Sequence, residues 1–315
     1  MHDRLNQNDV TNKVDVEDPD AVRDAVLALI GTRYPGESLA PLQQAFDDVK
    51  ALFAGQFPGY LPCDTPYHDL RHTLDMTLAM ARLIDGHDRG VAPTERIGAR
   101  RAMLGVVVAL LHDSGYLKRA SEAHVENGAV FTKIHVSRSA DFLTRYLPRL
   151  GYAEEAGAAA KLVHFTGYEM DIDDIMVHDP RDRLIGYLVG TADLLGQMSD
   201  RLYLEKCREF LYPEFVWGRI ARETLSDGRE IVRYASPDDL MLKTPGFYEY
   251  VARTRMQTKL AGVDRFAEAH FDGPNLYQSE IDRNMGFLKL AIEEADLSRL
   301  RRFCYSLSRR EARVA

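Results

Sequence analysis

Apolar residues recur at three- and four-residue intervals through most of this chain, the spacing of amphipathic α-helices. In the segment DAVRDAVLALI, Val22, Val26, Leu27 and Ile30 share one face, and Leu39, Leu42, Phe46, Val49 and Phe53 repeat the pattern over 38–53. A Pro/Gly-bearing stretch at 56–66 breaks this run, and a new helix is expected from Tyr67. Helix-like stretches follow at roughly 67–85, 94–112, 136–148, 153–166, 181–197, 199–211, 237–258, 262–270, 277–294 and 296–311. Pro180, Pro213 and Pro237 mark boundaries. Only Arg229–Tyr234 reads as extended. With 315 residues and no internal repeat or evident linker, the expectation is one all-α unit. Residues 1–60 are expected to form a helical extension packed outside a domain spanning 61–315.

Composition narrows the function classes. Forty Lys+Arg against 48 Asp+Glu give a net charge of −8, which excludes wrapping a long nucleic acid but leaves room for a local phosphate pocket. The longest apolar run, Ala102 to Leu111, is about half the ~20 residues of a membrane span, so no membrane partner is expected. The first twenty residues lack the apolar core of a secretory signal. Three scattered cysteines (Cys63, Cys207, Cys304) suit a reduced compartment, and the expected location is cytoplasmic.

The chemistry lies in the histidines and their neighbours. Tyr67-His68-Asp69-Leu70-Arg71-His72 opens a helix with His68 and His72 one turn apart on the same face. Such a pair suits two metal ligands, or one ligand and one proton donor. The most apolar helix then ends in His112-Asp113. Burying a carboxylate without a partner is costly, and a divalent cation is its natural partner here; the alternative is a helix C-terminal cap. Asp193 interrupts another apolar run (Leu184, Ile185, Leu188, Val189, Leu194, Leu195) and needs a metal or a hydrogen-bond network. His135 precedes one amphipathic helix and His164 closes another, whereas His124 lies in a polar stretch. His2, His87, His178 and His270 have charged or irregular surroundings and read as structural.

The order His72, His112-Asp113, His135, His164, Asp193 resembles the HD-domain metal-dependent phosphohydrolase superfamily over roughly residues 60–295. The segment from Tyr67 to Met76 is similar to the YHNxxHxxDV signature of class I cyclic-nucleotide phosphodiesterases. The resemblance implies an HD-domain/phosphodiesterase-like helical bundle, with His68 as general acid and Asp113 bridging two ions. It implies two divalent ions (Mn, Mg, Zn, Fe or Co) held by His72, His112, Asp113, His135, His164 and Asp193, with His124 in reserve for His135. It also implies substrate-binding Asn284 and Phe287, from a segment similar to the family's QxxF. Three departures stand out: Asp69 replaces the signature's asparagine, Asn284 replaces glutamine, and no second His follows His112-Asp113 within a few residues. The expected activity is metal-dependent hydrolysis of a small phosphate or nucleotide substrate, a phosphodiester such as a cyclic nucleotide. The alternatives are a di-iron oxygenase on the same ligands and a non-catalytic signalling domain. Lys118 and Arg119 read as loop charges rather than phosphate ligands. The run Met198–Phe215 reads as core or subunit interface, compatible with a homo-dimer.

Overall fold

The computed structural model describes residues 4–225 and 227–301. His2, Cys304 and the end of the helix expected at 296–311 lie outside them. The described residues are predominantly helical, as the periodicity predicts. Helix α1 (Pro19–Arg33) starts at an Asp18 cap with proline in its first turn, and α2 is Ala40–Phe53. Helices α3 (Leu70–Gly90), α4 (Ala99–Leu111), α5 (His135–Tyr146), α6 (Ala156–Leu162) and α7 (Pro180–Met198) follow. Next, α8 (Tyr203–Lys206) runs through a π turn at Cys207–Leu211 into α9 (Tyr212–Trp217). Strands β1 (Arg222–Thr224) and β2 (Glu230–Val232) form an antiparallel hairpin with Glu223 opposite Ile231. The chain closes with α10 (Pro237–Phe247), α11 (Phe266–Phe271) and α12 (Leu276–Glu293).

Helix α3 is the hub, packing on α1, α4, α7 and α11. Met76, Leu78, Met80 and Leu83 are fully buried, each contributing ~1.5–3 kcal/mol. The polar side of α3 is buried as well, and its charges are partnered rather than solvated. Arg71 binds Glu17 at 2.7 Å, Asp85 binds Arg33 at 2.6 Å, and Arg82 pairs with Asp9 and with the Tyr277 hydroxyl at 2.9 Å. Helices α1 and α2 bury Val22, Val26, Ile30, Leu42 and Phe46 in the same contiguous core. The first sixty residues therefore share the hydrophobic interior with the rest of the chain. Among the described residues, no helix is long and apolar enough to cross a membrane.

Candidate metal centre

Three helices bring the ligand-type side chains together. Asp69 caps α3, its Oδ1 accepting the His72 N–H at 2.9 Å, so the aspartate that replaces the signature's asparagine fixes the turn carrying His72. At the end of α4, His112 Nδ1 lies 2.9 Å from the Ala109 carbonyl; donating there leaves a lone pair on Nε2. Asp193 sits in the middle of α7, where Gln197 Nε2 donates to its Oδ1 at 3.2 Å. His72, His112 and Asp113 are buried and place their ligand atoms within 4.8 Å of one another. Asp113 Oδ2 lies 3.0 Å from His112 Nε2 and 3.3 Å from His72 Nε2, and Asp193 Oδ1 lies 3.4 Å from His72 Nε2.

Asp113 Oδ2 is buried and has no hydrogen bond of acceptable geometry. An orphaned carboxylate oxygen facing two imidazole nitrogens is the donor set of a divalent cation, so these residues fit a metal ion. The electrostatics agree. Burial opposes the charge on Asp113, but His112, His72 and His68 hold its carboxyl well below the usual range. Burial also works against protonation of His72, yet Asp113 and Asp193 push its pKa up to about 10.

His135 stands beside this cluster, its Nε2 3.7 Å from Asp113 Oδ1. Its Nδ1 lies 2.7 Å from the Thr132 carbonyl, which directs the Nε2 lone pair to the cluster side, and burial lowers its pKa toward the neutral form. Glu169 accepts the Val136 N–H at 2.8 Å and so caps α5 next to His135. His68 is not part of the cluster. Its Nδ1 pairs with Glu214 Oε2, while Glu214 Oε1 accepts the Tyr67 N–H at 2.6 Å. Burial lowers the His68 pKa, but the Glu214 carboxylate, together with Asp113, raises it overall. The ring stacks on Tyr116 at 4.3 Å, and Tyr116 stacks on His135 at 4.4 Å.

His68, His72, Asp113, Tyr116, His135, Glu169 and Asp193 line one cavity of about 560 Å³. Four expected site residues do not line it: His112, which is buried within the cluster, His164, Asn284 and Phe287. His164 does not line the cavity; its Nδ1 is buried without a hydrogen bond and burial lowers its pKa. Asn284 instead donates to the Met198 and Asp200 carbonyls at 3.0 and 2.8 Å, joining α12 to the end of α7. Phe287 packs against the core, away from the cavity. The purine-gripping role expected of Asn284 and Phe287 therefore has no geometry here, because α12 presents them to the helical core. Lys118 and Arg119 pair with Asp64 and Asp141 at 2.6 and 2.8 Å, as loop charges would.

Glu214, Tyr116, Glu169 and Gln197 escaped the sequence reading. The signal for Glu214 was present: it is an acidic residue in the aromatic run Tyr212-Pro213-Glu214-Phe215, the pattern that singled out Asp193. No family model matches the chain, and no curated protein matches it. Fold and site together define an all-α protein with a buried His-His-Asp group able to hold a metal ion.

Proposed function

We propose that this chain is a metal-dependent phosphohydrolase acting on phosphodiesters. One observation carries the reading: His72, Asp113 and Asp193, which with the buried His112 form a metal-type cluster, line the same cavity as His68, a separate histidine whose pKa Glu214 raises. Those four residues would hold the principal ion, and Asp113 Oδ1 with His135 would offer a second position. A divalent ion supplies Lewis acidity, lowering the pKa of a coordinated water and neutralising charge on a phosphoryl oxygen.

The remaining work falls to the protein. His68 protonates the leaving oxygen, a role for a histidine outside the ligand set. Glu214 holds the His68 ring by Nδ1, leaving Nε2 to carry the proton that is transferred. Tyr116 fixes the plane of that ring by stacking.

Apo protein reloaded with Mn, Mg, Co or Zn should hydrolyse a simple diester such as methyl 4-nitrophenyl phosphate, and chelation should abolish the activity. Stoichiometric metal without turnover of any phosphodiester or monoester would overturn the reading. Dependence on redox-active iron and oxygen would point to the oxygenase instead.

A further inference from the structure

Beyond the cluster, the cavity wall is aromatic and aliphatic. Tyr168, Phe215, Tyr234, Leu240 and Phe247 contribute to it from the loop after α6, from α9, from the segment after β2, and from α10. Phe215 and Tyr234 stack at 5.6 Å, and Arg255 covers the Tyr168 ring at 4.2 Å. Many of the polar side chains of the wall already have partners. The hydroxyls of Thr132, Thr166 and Thr244 donate to the carbonyls of Ala129, Val163 and Leu240 at 2.6, 2.8 and 2.8 Å. Gln197 spends its amide N–H on Asp193 and its carbonyl on the Tyr67 hydroxyl at 3.3 Å. Lys133 is paired with Glu223 at 2.6 Å and Lys243 with Asp239 at 2.9 Å. Glu169 is used to cap α5.

We infer that the organic group the cavity takes beside the phosphoryl centre is apolar and aromatic rather than a hydrogen-bonded nucleobase. The inference rests on the phosphohydrolase reading for the phosphoryl group itself. A base buried here would find few unspent partners for its edge N–H and carbonyl groups, which costs binding, whereas an aryl group gains from burial against ring faces. Lys133 and Arg233 share the single Glu223 carboxylate and Lys243 is held by Asp239, so the rim is cationic while the deeper wall is aromatic, and the substrate class is the aryl or arylalkyl phosphate ester.

The test is calorimetric binding of three non-hydrolysable ligands to the Mn-loaded protein: methylphosphonate, 1-naphthylmethylphosphonate and the phosphonate isostere of AMP. The naphthyl ligand should bind on the order of tenfold or more tightly than either of the others. Phe247→Ala and, separately, Phe247→Leu should narrow that ratio. Equal affinities, or tightest binding of the adenosine ligand, would overturn the inference. Turnover of methyl 4-nitrophenyl phosphate, measured in parallel, reports on the phosphohydrolase reading alone. Hydrolysis with flat ligand selectivity removes only the aryl preference, and aryl-selective binding without hydrolysis removes only the reaction.

Discussion

His68 and His72 stand one helical turn apart, yet their surroundings give them different tasks. His72 faces Asp113 and Asp193, while His68 faces Glu214. His68→Ala should therefore keep its metal and lose turnover by about 10²–10⁴, most severely with poor leaving groups. Metal analysis beside steady-state kinetics checks this, and loss of the ion would refute the proton-donor role. Glu214 raises the pKa of His68, and the acid is active while protonated, so activity falls as pH rises through that pKa. Glu214→Gln removes the supporting charge, and the alkaline limb of the kcat profile should move to lower pH. His72 makes a third case. Asp113 and Asp193 push its pKa up to about 10, so a cation entering the cluster should displace a proton. Titrations at pH 8 in buffers of different ionisation enthalpy should show roughly one proton released per ion, with affinity weakening as pH falls. The spacing of His68 and His72 was legible in the sequence, but their division of labour came only from a family resemblance. Glu214 supplies the physical basis from a position 146 residues away.

Helix positions were the most legible feature, because a 3.6-residue period appears directly in the apolar pattern. Breaks in the helices were less so. The stretch expected as one helix over 237–258 is α10 up to Phe247, followed by π turns at Tyr248–Arg253 and Arg255–Lys259. Pro245, inside α10, lacks the N–H that would bond the Met241 carbonyl and crowds that carbonyl. The burial of α3 on its polar side was not legible, since its partners Asp9, Glu17 and Arg33 lie far away in sequence. Close helix approaches set the cluster. A Cβ on Gly196 would sit 2.9 Å from Met76 N, where α7 crosses α3 about one turn beyond Asp193 and His72. Gly196→Ala should push these helices apart, costing about 1–3 kcal/mol and weakening metal affinity. Gly157→Ala in α6, where nothing lies within 4 Å, should instead be neutral or stabilise by about 0.5–1 kcal/mol. Thermal melts and metal titrations of the two variants check the contrast.

Across the whole molecule, the candidate ligands come from α3, the end of α4 and the middle of α7, so a bound ion would tie three core helices together. The sequence could order these residues along the chain but could not show that they meet, and it did not separate His164, Asn284 and Phe287 from those that do. His164 ends a short helix off the cavity, and α12 turns the other two toward the core. A ligand that binds only the folded state stabilises it by about 2.7 kcal/mol at a hundredfold excess over Kd. Saturating metal should therefore raise Tm, and His112→Ala should abolish the rise. The most direct measurement is the metal content of reloaded, dialysed protein, wild type against Asp113→Asn, with circular dichroism confirming that both are folded. The geometry predicts a stoichiometric divalent ion in the wild type and its loss in the variant. Folded wild type that retains no ion, or a variant that retains the full complement, would contradict it.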